Sequence, residues 1–368
     1  MNVIILTPDR VGSTLLQRLI TLYMLGYEFD KPVINLHELT NGLTTYYSDV
    51  FNQQVVGKPK KKLGQTYGYY QTLPTIVNML DQVDHYKTAR LAHYHIVRRE
   101  DTIADQLPFY EYLNDNFFII SARRDNVFEY ALSSVIAAHS KRLNVFTHQD
   151  KINIFAELYQ NGITLEPEAI VKYLNQYKNY IGWVDRHFNV NSYFNYDRDL
   201  GNIESYIMNL SLFSNATKKK TWKDIYGIEW SDWNRCHKLV SDVGAVAEPL
   251  LLTNDAKPSA SNLSLIKNNL STADCNFLTQ NGADYVKVYQ SFDKLIDSGI
   301  LVDRVPIKLQ TMAEKRAIVK NFDQCIDVYN IWAEQNDYTP VDQETVIEQS
   351  TEELHRWYLD PPKQLLLK

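Results

Sequence analysis

The sequence predicts an α/β protein, a parallel β-sheet flanked by helices with a mostly helical C-terminal extension. Three observations predict it. Val3-Ile4-Ile5-Leu6 is a continuous apolar run of β-branched character, suited to a strand buried on both faces, and a helical pattern follows it after a short turn. A second apolar run, Phe117-Phe118-Ile119-Ile120-Ser121-Ala122, ends in a charged turn and is again followed by a helical pattern, the alternation that builds parallel sheets. Beyond residue 262 the apolar residues recur at three-to-four spacing, as helices require.

The elements follow in order. After the first strand, Thr7-Pro8-Asp9-Arg10-Val11-Gly12 supplies turn chemistry, and Ser13 and Thr14 introduce Leu15, Leu16, Leu19, Ile20 and Tyr23 at helical spacing. Residues 31–71 are polar, tyrosine-rich and interrupted by Lys58-Pro59-Lys60-Lys61-Lys62, which predicts loops with little regular structure. Strands are expected over Lys87–Ile96, Phe117–Ala122 and Ser192–Asn195. Helices are expected over Val127–Arg142, Ile152–Gln160 and Pro167–Arg186. Small, polar residues with a proline, Asn254 to Ser261, mark a linker between an α/β domain over residues 1–250 and a helical subdomain over 262–368. Within the latter, Tyr285–Leu295 and Met312–Glu334 carry helical patterns.

With 368 residues the chain can bury a substantial core without staples. A formal charge of −6 argues against a nucleic-acid or anionic-membrane partner, either of which favours a basic balance. No apolar run reaches spanning length, so a soluble, cytoplasmic protein is expected. Cys236, Cys275 and Cys325 have neither metal-ligand nor redox spacing and read as reduced, buried thiols.

The turn after the first strand carries the chemistry. A loop joining a buried strand to a helix aims backbone N–H groups at whatever lies over the helix N-terminus, where the helix dipole favours an anion. Gly12 permits close approach, Ser13 and Thr14 add hydroxyls, and Arg10 adds a permanent cation. The pattern G-x-x-x-x-G-K-[ST] is absent, since Thr7 stands at its first glycine and no lysine lies between Gly12 and Ser13. What stands there, Pro8-x-Arg10-x-Gly12-Ser13-Thr14-Leu15-Leu16, resembles the P-loop-like 5′-phosphosulfate loop of sulfotransferases that use 3′-phosphoadenosine 5′-phosphosulfate. The resemblance implies that Arg10, Val11, Gly12, Ser13 and Thr14 hold that donor, with Arg10 also stabilising the leaving phosphate.

The second apolar run ends in Arg123-Arg124-Asp125, two cations at the C-terminal end of a strand, the edge where open α/β sheets bind ligands. It resembles the 3′-phosphate site of the same family, with Arg124 and Ser133 in the two binding roles. Arg123 and Ser134 are the alternatives, because the spacing from Arg124 to Ser133 exceeds the family's by one and Asn126 replaces its proline. For a general base, the stretch Lys87 to His95 read as a strand places His93 and His95 on one face, and the resemblance implies a histidine base, His93 before His95. Tyr193 to Leu200 resembles the family's strand-to-helix element after the nucleotide sites, and Lys218-Lys219-Lys220-Thr221-Trp222 stands where a C-terminal basic clamp would be sought.

The implied activity is transfer of a sulfonyl group to a small-molecule or carbohydrate acceptor without a metal. Two other classes compete. A Mg²⁺-dependent nucleotide or nucleoside phosphotransferase needs a metal-holding Asp or Ser/Thr near the loop, where Asp9 is oddly placed. A binding or structural protein on the same fold needs only a weak anion hole.

Overall fold

A computed structural model describes residues 2–26, 31, 33–40, 60–62, 65–67, 72–97, 102–140, 157–213, 220–233, 235–236, 271–274, 276–278, 280–285, 312–342, 344 and 346. These fall into two compact units that interleave along the chain. A sheet unit takes Met1–Asp125 and Gln176–Gly227, and a helical unit takes Asn126–Asn175, Ile228–Val288 and Pro306–Lys368. The linker expected at 254–261 lies outside the described residues, as does Cys275.

The sheet unit holds five parallel strands, β1 (Val3–Thr7), β2 (Val33–Glu38), β5 (Tyr86–Ala92), β6 (Phe118–Arg123) and β7 (Ser192–Asn195), in the order β2-β5-β1-β6-β7. A separate antiparallel pair joins β3 (Lys60–Lys62) and β4 (Gln65–Tyr67). β1 is buried along its whole length, as its uninterrupted apolar run requires. Side chains alternate across the sheet. Ile4, Leu6, Ile34, Leu36, Leu91 and Ile119 share one face with apolar residues of α2 (Leu73–Gln82), α4 (Ile103–Asn116) and the C-terminal half of α6 (Pro167–His187). The opposite face carries α1 (Ser13–Gly26), packed over β2 and β5. There the contact is polar: Thr21 and Thr88 hydroxyls lie 2.6 Å apart, Gln17 Nε2 donates to the Thr88 carbonyl at 3.2 Å, and Asn35 Nδ2 donates to Thr21 Oγ1 at 3.0 Å.

Two expectations need correction. Residues 33–38, read as loop, form edge strand β2; its buried polar residues Asn35 and Glu38 meet Thr21 and Arg90 inside the protein. The expected strand Lys87–Ile96 ends at Ala92, and His93–Val97 turns into a short helix, α3.

In the helical unit, α5 (Val127–Ser140) is buried from Val127 to Ala137, and the Asn126 side chain caps it by accepting from the Glu129 N–H at 2.9 Å. Phe128 packs against Phe322 and Tyr329 of α9 (Phe322–Gln335), with ring centroids 5.9 and 5.4 Å apart. Lys315 of α8 (Met312–Ile318) pairs with Glu129 at 2.6 Å, both side chains buried. Trp230 and Trp233 are buried here, and Trp233 packs on Tyr285. Cys236 and Cys325 are buried free thiols. Among the described residues no helix is long and apolar enough to cross a membrane.

Candidate functional site

The loop between β1 and α1 is tightly wound. Asp9, Arg10 and Gly12 have φ of 93°, 52° and 68°, so three of four consecutive positions lie in the left-handed region, two of them without glycine's freedom. Thr7 Oγ1 holds the turn, accepting from the Asp9 N–H at 3.2 Å and donating to Ser13 Oγ at 3.1 Å. The first helical bond of α1 runs from the Leu16 N–H to the Gly12 carbonyl, so the amides of its opening turn precede the helical ladder and point back over the loop. A Cβ at Gly12 would lie 2.6 Å from Cδ2 of Tyr196, so glycine is required there by contact as well as by φ.

β1 and β6 are neighbours whose pairing ends at Leu6 and Ser121. Beyond that point the hydroxyl of Tyr180 stands between them, 2.9 Å from the Leu6 carbonyl and 3.0 Å from the Ala122 carbonyl. Ser121 Oγ is 2.9 Å from the same hydroxyl and accepts from Arg123 Nε at 3.2 Å. Because carbonyls only accept and guanidinium only donates, the proton order is fixed: Arg123 to Ser121, Ser121 to Tyr180, Tyr180 to the strand carbonyls. The chain leaves β1 towards β2, whereas β6 has β7 on its far side, so the carboxyl ends of β1 and β6 flank a topological switch point, the usual place for a ligand crevice.

The two arginines at the end of β6 point different ways. Arg123 pairs with Asp185 at 2.8 Å and lies over the Tyr193 ring. Arg124 is buried, its backbone clamped at both N–H and carbonyl by the Tyr177 hydroxyl, at 2.8 and 2.7 Å. Its guanidinium donates from Nε to Asp197 Oδ1 at 3.0 Å and stacks over Tyr196 with Cζ 4.5 Å from the ring centroid. Tyr196 therefore lies between Gly12 and Arg124 and joins the loop to the strand-end cation. Tyr196 and Asp197 open the short helix α7 (Tyr196–Asp199) after β7. Ser133 and Ser134 lie on α5 in the helical unit, where the Ser134 hydroxyl donates to the Tyr130 carbonyl at 2.9 Å.

On the other flank of the loop a charged network joins β2, β5 and α3. Arg90 donates to Thr14 Oγ1 through Nη1 and pairs with Glu38 through Nη2 at 2.9 Å. His95 Nδ1 is 3.7 Å from the other Glu38 oxygen. Asp9 sits half-buried beside these groups. Burial, reinforced by the Glu38 charge, pushes its carboxyl up to about 7 against the pull of His95, Arg90 and Arg10.

The histidines are not on one face. The helical turn sends His93 against Trp183 and Tyr180, with centroids 5.0 and 6.3 Å away, and burial followed by the nearby Arg186 charge pushes its imidazole down to about 4. His95 instead meets Glu38. Of the lysine run, Lys218 and Lys219 lie outside the described residues; Lys220 donates to the Gly26 carbonyl at the C-terminal end of α1, the end remote from the loop.

Sequence reasoning thus named Arg10, Val11, Gly12, Ser13, Thr14, Arg124 and His95, which gather at the loop and its two flanks, and missed Glu38 and Tyr196 as members of the site. Glu38 was hidden in a segment read as loop. Tyr196 was noticed only as part of a fold element. No protein-family model matches this chain, and no curated protein matches it.

Proposed function

We propose that the protein transfers a sulfonyl group from 3′-phosphoadenosine 5′-phosphosulfate to a hydroxyl or amine acceptor, a small molecule or carbohydrate. The observation that carries this reading is the contact chain from Gly12 through Tyr196 to Arg124. An anion cradle and a strand-end cation, recognised separately in the sequence, meet at the carboxyl ends of two adjacent strands. A donor with phosphates on both its 3′ and 5′ sides needs two such anion sites at a fixed separation.

In this reading the opening amides of α1, with Ser13, Thr14 and Arg10, hold the 5′-phosphosulfate, and Arg124 holds the 3′-phosphate in place of, or together with, Asp197. The acceptor oxygen bonds to sulfur as the sulfur–phosphate bridging bond breaks. The 3′,5′-bisphosphate departs, and the acceptor proton passes to a base. His95 fits that role better than His93. Its Nδ1 lies 3.7 Å from a Glu38 oxygen, and Glu38 connects through Arg90 to Thr14 in the loop, whereas burial, followed by the Arg186 charge, disfavours the charged form of His93.

The test is calorimetric titration of the full chain with adenosine 3′,5′-bisphosphate, adenosine 5′-phosphate and ATP, each with and without Mg²⁺. Preference for the bisphosphate without metal supports the reading. Binding of ATP that requires Mg²⁺ overturns it in favour of phosphoryl transfer, and no binding of any nucleotide overturns it in favour of a non-enzymatic protein.

A further inference from the structure

The seam between α1 and the sheet is polar at the depth where a helix usually meets a sheet through apolar side chains. Gln17, Thr21, Asn35 and Thr88 are fully buried, and Thr14 and Arg90 nearly so. Helical spacing puts Thr14, Gln17 and Thr21 on one stripe of α1, and strand alternation puts Thr88 and Arg90 on one face of β5. Thr14 meets Arg90, while Gln17 and Thr21 both meet Thr88. The proton order in the middle of the seam is fixed. Thr21 Oγ1 donates to the Gln17 carbonyl at 2.8 Å, so it accepts from Asn35 Nδ2 at 3.0 Å and from the Thr88 hydroxyl at 2.6 Å. Asn35 and Thr88 are register partners on β2 and β5, so one side chain of α1 is bonded to two neighbouring strands. The opposite face of the sheet, filled by Ile4, Leu6, Ile34, Leu36 and Leu91, packs its helices through apolar contacts. Replacing a buried hydrogen-bonded pair by apolar groups of the same shape is often nearly neutral, so stability alone does not account for the polar seam. Its distinctive contribution is register. Apolar packing is non-directional, whereas a slip of α1 by one residue, about 1.5 Å along its axis, takes these hydrogen bonds out of range.

We propose that Thr21 and Thr88 are positioning residues, whose bond fixes α1 against β5 and thereby sets the separation between the loop's anion cradle and Arg124. This inference rests on the donor-site reading above. The cradle is carried by the first turn of α1, whereas Arg124 follows the last residue of β6, which is separated from β5 by β1. A ligand with a phosphate at each end gains from its second contact only while the two sites keep the distance its skeleton spans. The cradle's own shape is held by other bonds, those of Thr7 to Asp9 and Ser13. Loosening the seam therefore displaces the cradle relative to Arg124 without dismantling it. Neither threonine needs to touch the ligand for this effect.

The experiment titrates adenosine 3′,5′-bisphosphate, adenosine 3′-phosphate and adenosine 5′-phosphate calorimetrically into the full chain and its variants Thr88→Val, Thr88→Ser and Thr21→Val with Thr88→Val. Valine keeps the branched shape and loses the hydroxyl, whereas serine keeps the hydroxyl. The double valine variant should weaken the bisphosphate about tenfold and each monophosphate by less than about twofold. Thr88→Val should weaken the bisphosphate alone by about threefold, and Thr88→Ser should restore it. Hydrogen exchange of α1 and β5 peptides reports whether each variant keeps its fold, and if the double variant does not, Thr88→Val decides. Equal weakening of all three nucleotides makes the seam a structural support only and overturns the inference. Unchanged bisphosphate affinity in Thr88→Val, or a serine variant as weak as the valine one, also overturns it. A bisphosphate that binds the unsubstituted chain no more tightly than either monophosphate overturns the donor-site reading itself, a result that needs no variant.

Discussion

Replacing Gly12 by alanine tests the contact that unites the site, independently of any ligand. The backbone there has φ of 68°, where a Cβ costs about 1–2 kcal/mol. The added carbon would also stand 2.6 Å from Cδ2 and 2.9 Å from Cε2 of Tyr196, so the ring must retreat by about 1 Å to reach normal contact. That retreat presses on the Arg124 guanidinium stacked behind it, which Asp197 and the Tyr177 clamp hold in place. Overpacking of this kind costs about 1–3 kcal/mol, for a sum of about 2–5 kcal/mol. In a Tyr196→Ala background only the φ cost of about 1–2 kcal/mol should remain. Hydrogen exchange of peptides spanning β1 and β6 reports the stability of the sheet unit without assuming that the whole chain unfolds in one step. If Gly12→Ala costs the same with and without the Tyr196 ring, the stacked arrangement is wrong.

Other expectations are separable by residue. Asp197→Asn should tighten adenosine 3′,5′-bisphosphate and leave adenosine 5′-phosphate unchanged, because it releases Arg124 for the 3′-phosphate; equal changes for both nucleotides would remove Arg124 from that role. His95→Gln should slow sulfonyl transfer by about 10²–10⁴-fold while His93→Phe keeps most of the rate, and the opposite order would make His93 the base. Lys315→Met should weaken protection in α5 and α8 by about 3–5 kcal/mol, since it strands a buried Glu129, and Lys315→Met with Glu129→Leu should recover most of the loss. A double variant as unstable as the single one would show that packing, not the uncompensated charge, sets the cost.

The sheet's central strands were legible because β1 and β6 are buried on both faces, so their sequences need only be apolar. Edge strand β2 was not, because Asn35 and Glu38 look like loop residues until Thr21 and Arg90, supplied by α1 and β5, are set beside them. The end of β5 failed for a related reason. His93-Tyr94-His95 continues an alternating pattern, and only the tertiary structure turns it into a helix with the histidines facing Trp183 and Glu38. In the site, Gly12 and Arg124 could be named from local pattern, since glycine in a strand-to-helix turn and arginine at a strand end each carry a local reason. Tyr196 has no such signal. Its part depends on a contact with a residue 184 positions earlier, which no local spacing encodes.

Tyr180 sets where the sheet opens. Two parallel strands have every reason to go on pairing after Leu6 and Ser121, and the Leu6 and Ala122 carbonyls, each lying about 3 Å from the Tyr180 hydroxyl, would repel one another without a proton between them. One phenolic hydrogen supplies that proton, so the point at which the two strands part is set by the reach of a tyrosine from a helix rather than by either strand. A phenylalanine there would keep the ring and lose the hydrogen, leaving the mouth of the sheet to find its own place to part.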